Sequence, residues 1–179
     1  MQHELDEERV RRFMQNLGSK VRGPGRVYLT GGASALLFGW RSSTADVDIR
    51  LDPEPQGAFE AIRDLKRDLN MNIELASPQD FLPELEGWRI RSVFISREGQ
   101  VDFFHYDFNA QALSKIARGH DRDVSDVEHM LQLGLIREED LSKFFEEMKP
   151  GLIRYPGIDA EAFQARLQAF LERNSLAGR

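Results

Sequence analysis

Apolar positions recur along this chain at two spacings, and the switches between them mark out the elements. From Leu5 to Leu17, Val10, Phe13, Met14 and Leu17 fall on one helical stripe. Acidic Glu4, Asp6, Glu7 and Glu8 precede basic Arg9, Arg11 and Arg12, an order that suits the helix dipole. Gly23-Pro24-Gly25 breaks the chain, and the apolar run Val27–Thr30 reads as a buried strand. Ala33–Phe38, rich in Ala and Leu, predicts a short helix. Arg41-Ser42-Ser43-Thr44 turns the chain into Asp46-Val47-Asp48-Ile49, a strand with two acids on one face and two aliphatics on the other. Asp52-Pro53-Glu54-Pro55 ends that strand.

Further on, Phe59, Ile62, Leu65 and Leu69 predict an amphipathic helix over Gln56–Asn70. Asn72–Leu75 fits a short strand, and Ser77-Pro78-Gln79-Asp80 a capped helical turn. Arg89–Ile95, beside Trp88, reads as a strand that turns at Gly99 and pairs with Gln100–His105. The rest is helical. Ala110–Arg118 is closed by Gly119, and a second helix runs to about Leu133 on Val127, Met130 and Leu131. A third carries Leu141, Phe144, Phe145 and Met148, and Ile158–Arg173 is the last, leaving Asn174–Arg179 as a frayed end. The expected class is α+β: a small mixed sheet of four or five strands with helices on one side, in a core over residues 1–108. A helical part over 109–179 would complete one compact unit.

The 179 residues suit one domain, or one domain with a helical appendage. The formal charge of -6 argues against indiscriminate nucleic-acid binding, though not against a local basic patch. There is no cysteine, which removes disulfides, thiolate zinc sites and a Cys nucleophile. The charged start, Met1–Arg12, has no signal-like apolar core, and no run is long enough to span a membrane, so the expectation is a cytoplasmic protein without a membrane partner. The four histidines lack metal-ligand spacing, and neither a GxSxG nor a GxxxxGK pattern is present.

The chemistry concentrates between Val27 and Leu51. Adjacent carboxylates on one strand face repel each other, and a fold accommodates Asp46 and Asp48 most readily around a cation. Gly31-Gly32, a helix-length spacer and Asp46-x-Asp48 together resemble the signature of the DNA polymerase β-type nucleotidyltransferase superfamily. The resemblance implies that Gly31 and Gly32 let the backbone approach a triphosphate, and that Asp46 and Asp48 hold two Mg²⁺ ions, or Mn²⁺ in their place. It implies a third carboxylate on a later strand. Asp102, alone among Val101, Phe103 and Phe104, is the candidate; by residue type it fits either a solvated sheet edge or a metal. Ser34 and Arg41 are candidate nucleotide contacts.

Lys115-x-x-Arg118 followed by Arg122-Asp123-x-x-Asp126 is similar to a pattern in the abortive-infection (AbiEii-like) nucleotidyltransferase toxins and their relatives. Carried over, Lys115 and Arg118 would meet nucleotide phosphates, with Asp123 and Asp126 orienting them or assisting catalysis. The same residues also suit a salt-bridge network between two helices. The implied function is metal-dependent transfer of a nucleoside monophosphate from ATP or another triphosphate. The acceptor is open between an RNA end, a protein hydroxyl and a small molecule, in an enzyme that would suit a toxin–antitoxin pair. The competing reading is a non-catalytic nucleotide- or partner-binding protein derived from such a transferase. Oligomeric state is not readable.

Overall fold

A computed structural model describes residues 4–178; Met1–His3 and Arg179 lie outside the described residues. The elements run α1 (Glu7–Lys20), β1 (Gly25–Thr30), α2 (Gly31–Phe38), β2 (Asp46–Leu51), α3 (Ala58–Asp68), β3 (Asn72–Glu74), α4 (Trp88–Arg91), β4 (Val93–Glu98), β5 (Val101–His105), α5 (Phe108–Arg118), α6 (Asp121–Gln132), α7 (Glu138–Met148) and α8 (Ala160–Ala177). Short 3-10 turns cover Pro78–Asp80 and Lys149–Arg154. The class is α+β, as the sequence predicts. The chain divides into two compact units. One holds residues 1–77 and 91–106, the other residues 78–90 and 107–179.

The first unit is built on one mixed sheet of order β3-β2-β1-β5-β4. β1 runs antiparallel to β2 and parallel to β5; β2 and β3 are parallel, and β4 and β5 form the hairpin. Strand alternation sends Val27, Leu29, Val47, Ile49, Ile73, Val101 and Phe103 to one face, into a core with Val10, Phe13, Met14 and Leu17 of α1, Leu36 of α2 and Ile62 and Leu65 of α3. Burying each such aliphatic contributes about 1.5–3 kcal/mol. The acids of β2 are thereby directed to the opposite face. Ahead of β2, Leu5 and Thr44 exchange two backbone hydrogen bonds of 2.7 and 3.0 Å, fixing where the strand begins.

The second unit is helical. Leu113 and Ile116 of α5, Val127 and Met130 of α6, Leu141 and Phe145 of α7 and Phe163 and Leu167 of α8 are all buried. Phe145 meets Phe163 edge-on at 4.9 Å. Two local expectations differ. Trp88–Arg91 is a helical turn, and the strand starts only at Val93. The alternation of Arg89, Ile90 and Arg91 suggested a strand, yet Ile90 is 90% exposed, so no buried face enforces the alternation. At the C-terminus α8 continues to Ala177, past the expected end at Arg173. No helix among the described residues is long and apolar enough to cross a membrane.

Candidate active site

The registers of β1, β2 and β3 bring the acids together. Thr30 lies opposite Asp48, which lies opposite Glu74, while Asp46 lies opposite Asn72. Directly paired residues point to the same face, so Asp46, Asp48, Asn72 and Glu74 share one patch at the end of β1 where α2 begins. The Asn72 side-chain amide donates to Asp46 Oδ1 and to Glu74 Oε1, both at 2.7 Å. A neutral donor therefore draws two carboxylates together without cancelling their charge. Among the described residues, no three His, Cys, Asp or Glu side chains are gathered closely enough to enclose a metal ion by themselves. The donor set still suits a hard cation that takes one or two carboxylates and completes its shell with water or phosphate oxygens.

The glycine pair is packed against this patch. Gly31 adopts a positive φ of 61°, and a Cβ there would lie 3.0 Å from Asp48 Oδ2. A Cβ on Gly32 would collide with Thr44 Oγ1 and stand 3.2 Å from Arg41 Nη1. The two glycines are thus what allows the start of α2, one carboxylate of β2 and the Arg41 guanidinium to approach one another. The positive end of the α2 dipole is there too.

Ser34 is differently placed. It is fully buried, and its hydroxyl lies 2.8 Å from Nδ1 of His105, which is 6% exposed on β5. Burial pushes His105 down to about 4, with the positive Arg11 acting in the same direction. The ring is neutral at pH 7, and together with Ser34 it ties α2 to β5 from the core side.

Asp102 does not join the acids. It sits opposite Arg26, four positions back along β1 from Thr30, or about 13 Å at strand rise. Arg97 of β4 grips it with two hydrogen bonds of 2.6 and 2.9 Å. That contact, ahead of the more distant charge of Arg26, holds its carboxyl below the usual range.

In the helical unit, Lys115 is 4% exposed, with Nζ 2.7 Å from Asp126 Oδ2 and 3.4 Å from Asp123 Oδ1. Arg118, half exposed, donates to Asp123 Oδ1 at 2.8 Å. Two cations meet two carboxylates, and only Arg118 presents appreciable surface.

A family model described as a nucleotidyltransferase of unknown function (DUF6036) matches residues 8–169. The chain belongs to that family. The match carries the nucleotidyltransferase assignment, whereas the likeness to abortive-infection toxins rests on the sequence pattern. No curated protein and no solved structure matches the chain.

The patch also holds two residues that the sequence reading passes over, Asn72 and Glu74. The signal was present but faint: Asn72-Ile73-Glu74 alternates polar, apolar, polar over only three positions. Its meaning comes from parallel pairing with β2, which no local pattern announces.

Proposed function

We propose that the protein catalyses metal-dependent nucleotidyl transfer, with Asp46, Asp48 and Glu74 as the carboxylate set. The observation that carries this reading is the register Thr30–Asp48–Glu74 at the glycine turn. Asp46 and Asp48 would hold Mg²⁺, or Mn²⁺, with Glu74 as the third acid. Bound cations would stabilise the entering and leaving oxygens of an in-line displacement at the α-phosphate. Gly31 and Gly32 leave room for a triphosphate at the positive end of α2, and Arg41 supplies a guanidinium beside them. Ser34 and His105 hold that helix in place from beneath. Asn72 keeps Asp46 and Glu74 converged. Lys115, Asp123 and Asp126 act as support within the helical unit, where Arg118 alone of the four keeps appreciable surface.

Thermal unfolding with and without each common ribonucleoside triphosphate and Mg²⁺ tests the site. A ligand that binds only the folded chain contributes roughly 2.7 kcal/mol at one hundred times its dissociation constant. A shift is expected for wild type and a much smaller one for Asp46→Asn. No shift with any triphosphate would contradict the reading. Incubating the chain with labelled triphosphate, Mg²⁺ and a cell extract then shows which acceptor takes up label, including any toxin–antitoxin target.

A further inference from the structure

The sheet face that carries the acids also carries an aromatic ladder that the chemistry above does not use. Phe94 of β4 lies opposite Phe104 of β5, which lies opposite Tyr28 of β1. The Phe94 and Phe104 rings meet edge-on at 5.6 Å. Phe104 stacks on Tyr28 at 5.2 Å and 23°, and Tyr28 meets Tyr106 edge-on at 6.2 Å. The open end of the ladder is solvated: Phe94 is 57% exposed and Phe104 half-buried. Aromatic rings gain from burial, so two of them left partly in water beside a reactive patch suit a planar partner.

Arginines border the same rings. Exposed Arg26 sits with its guanidinium carbon 5.9 Å from the Phe104 centroid, and exposed Arg97 lies one row on, paired with Asp102. Arg26, Arg97 and Asp102 together leave one net positive charge beside the ladder. The chain as a whole is acidic at -6, which repels polyanions elsewhere. Exposed π faces flanked by guanidinium groups, on a sheet, match how unpaired bases are held: rings stack on bases and cations meet phosphates.

We infer that the Phe94–Phe104–Arg26 surface binds the end of a single-stranded nucleic acid, which is the acceptor. This rests on the transfer reading above. Phe104 stands two strands across and two residues back from Asp48, roughly 12 Å by sheet spacings, close enough for the end of a strand held there to approach the acids around the buried Tyr28. In the step, the terminal hydroxyl oxygen bonds to the α-phosphorus of the triphosphate. The bond from that phosphorus to the pyrophosphate oxygen breaks, pyrophosphate leaves with the electron pair, and the hydroxyl proton passes to solvent.

The test uses the full chain with fluorescein-labelled single-stranded RNA and DNA oligonucleotides of one sequence and a blunt duplex control, read by anisotropy. Single strands are expected to bind more tightly than the duplex, and the RNA and DNA arms distinguish which sugar is preferred. Phe94→Ala is expected to weaken binding about tenfold, the size of one lost base stack. Phe94→Leu, which keeps an apolar contact with Phe104 but has no π face, is expected to weaken it similarly. Arg26→Ala is expected to reduce the salt slope by about 0.7. Equal strand affinity for wild type and both Phe94 variants overturns the inference. So does unchanged strand binding accompanied by a dimer-to-monomer change, which would assign the surface to a second copy. A triphosphate that stabilises the chain without any strand extension overturns the acceptor assignment alone. Phe94-dependent strand binding with no triphosphate binding overturns the transfer reading and leaves the strand surface standing.

Discussion

Two groups of acids in this chain meet opposite fates. Asp123 and Asp126 are buried against Lys115, with Arg118 closing the group, so two negative charges are matched by two positive ones. Asp46 and Glu74 instead receive hydrogen bonds from the neutral amide of Asn72, and Asp48 sits beside them against a glycine turn. The first arrangement cancels its charge internally and is finished as a structural element. In the second, the hydrogen bonds that Asp46 and Glu74 accept come from a neutral donor, so those bonds cancel none of their charge. Both groups are acids near helices in a family of nucleotidyltransferases; the partner each acid finds separates support from chemistry.

The sharpest way to break this contrast is to remove one charge from each group. Lys115→Ala removes the buried cation shared by Asp126 and Asp123, leaves Asp123 with Arg118, and is expected to cost about 3–5 kcal/mol in chemical denaturation. Replacing the pair together, Lys115→Met with Asp126→Leu, should recover most of that loss, because a buried pair exchanged for apolar side chains is close to neutral. Asp46→Asn, by contrast, should leave folded stability nearly unchanged, since the hydrogen bond from the neutral Asn72 amide needs only an oxygen at position 46. Equal losses in the two groups would erase the distinction.

A smaller effect concerns the tie beneath the glycine turn. His105 is held at about 4, below its unfolded 6.5, so the unfolded chain binds the extra proton between those values. The stability contributed is therefore complete above pH 6.5 and falls as the pH drops toward 4, by about 3 kcal/mol in all. The groups around the ring include Ser34, Phe38 and the charge of Arg11. His105→Gln should flatten that part of the stability–pH curve; a profile identical to wild type would show that the ring does not titrate there.

The least effect is expected at Arg118. Its half-exposed ion pair with Asp123 contributes about 1 kcal/mol or less. Arg118→Ala should leave the melting temperature nearly unchanged, and any fall in triphosphate affinity would then report a direct phosphate contact.

Much of this was legible in the sequence. Period and punctuation located β1, α2 and β2, and Gly31-Gly32 and Asp46-x-Asp48 do meet at one end of the sheet. What local pattern does not encode is register and pairing. Asp102 was correctly placed on a strand, but parallel pairing with β1 sets it opposite Arg26 rather than Thr30. Glu74 lies on a three-residue strand whose partner is known only once β2 and β3 pair. Residues 78–90 group with the helical unit because of contacts distant in sequence. Lys115 and Arg118 share a helical face in either reading; burial, invisible in the sequence, divides them.

On the proposed mechanism Glu74, and not Asp102, is the third acid of the site. Single-turnover nucleotidyl transfer with wild type, Glu74→Gln and Asp102→Asn, at equal concentrations of folded protein and saturating triphosphate and Mg²⁺, tells the two apart. Glu74→Gln is expected to lose transfer by about a hundredfold or more, the scale of losing one charged group at the reacting centre. Asp102→Asn, which gives up only a surface contact with Arg97, should transfer within a fewfold of wild type. Normal transfer by Glu74→Gln together with loss in Asp102→Asn would contradict the account.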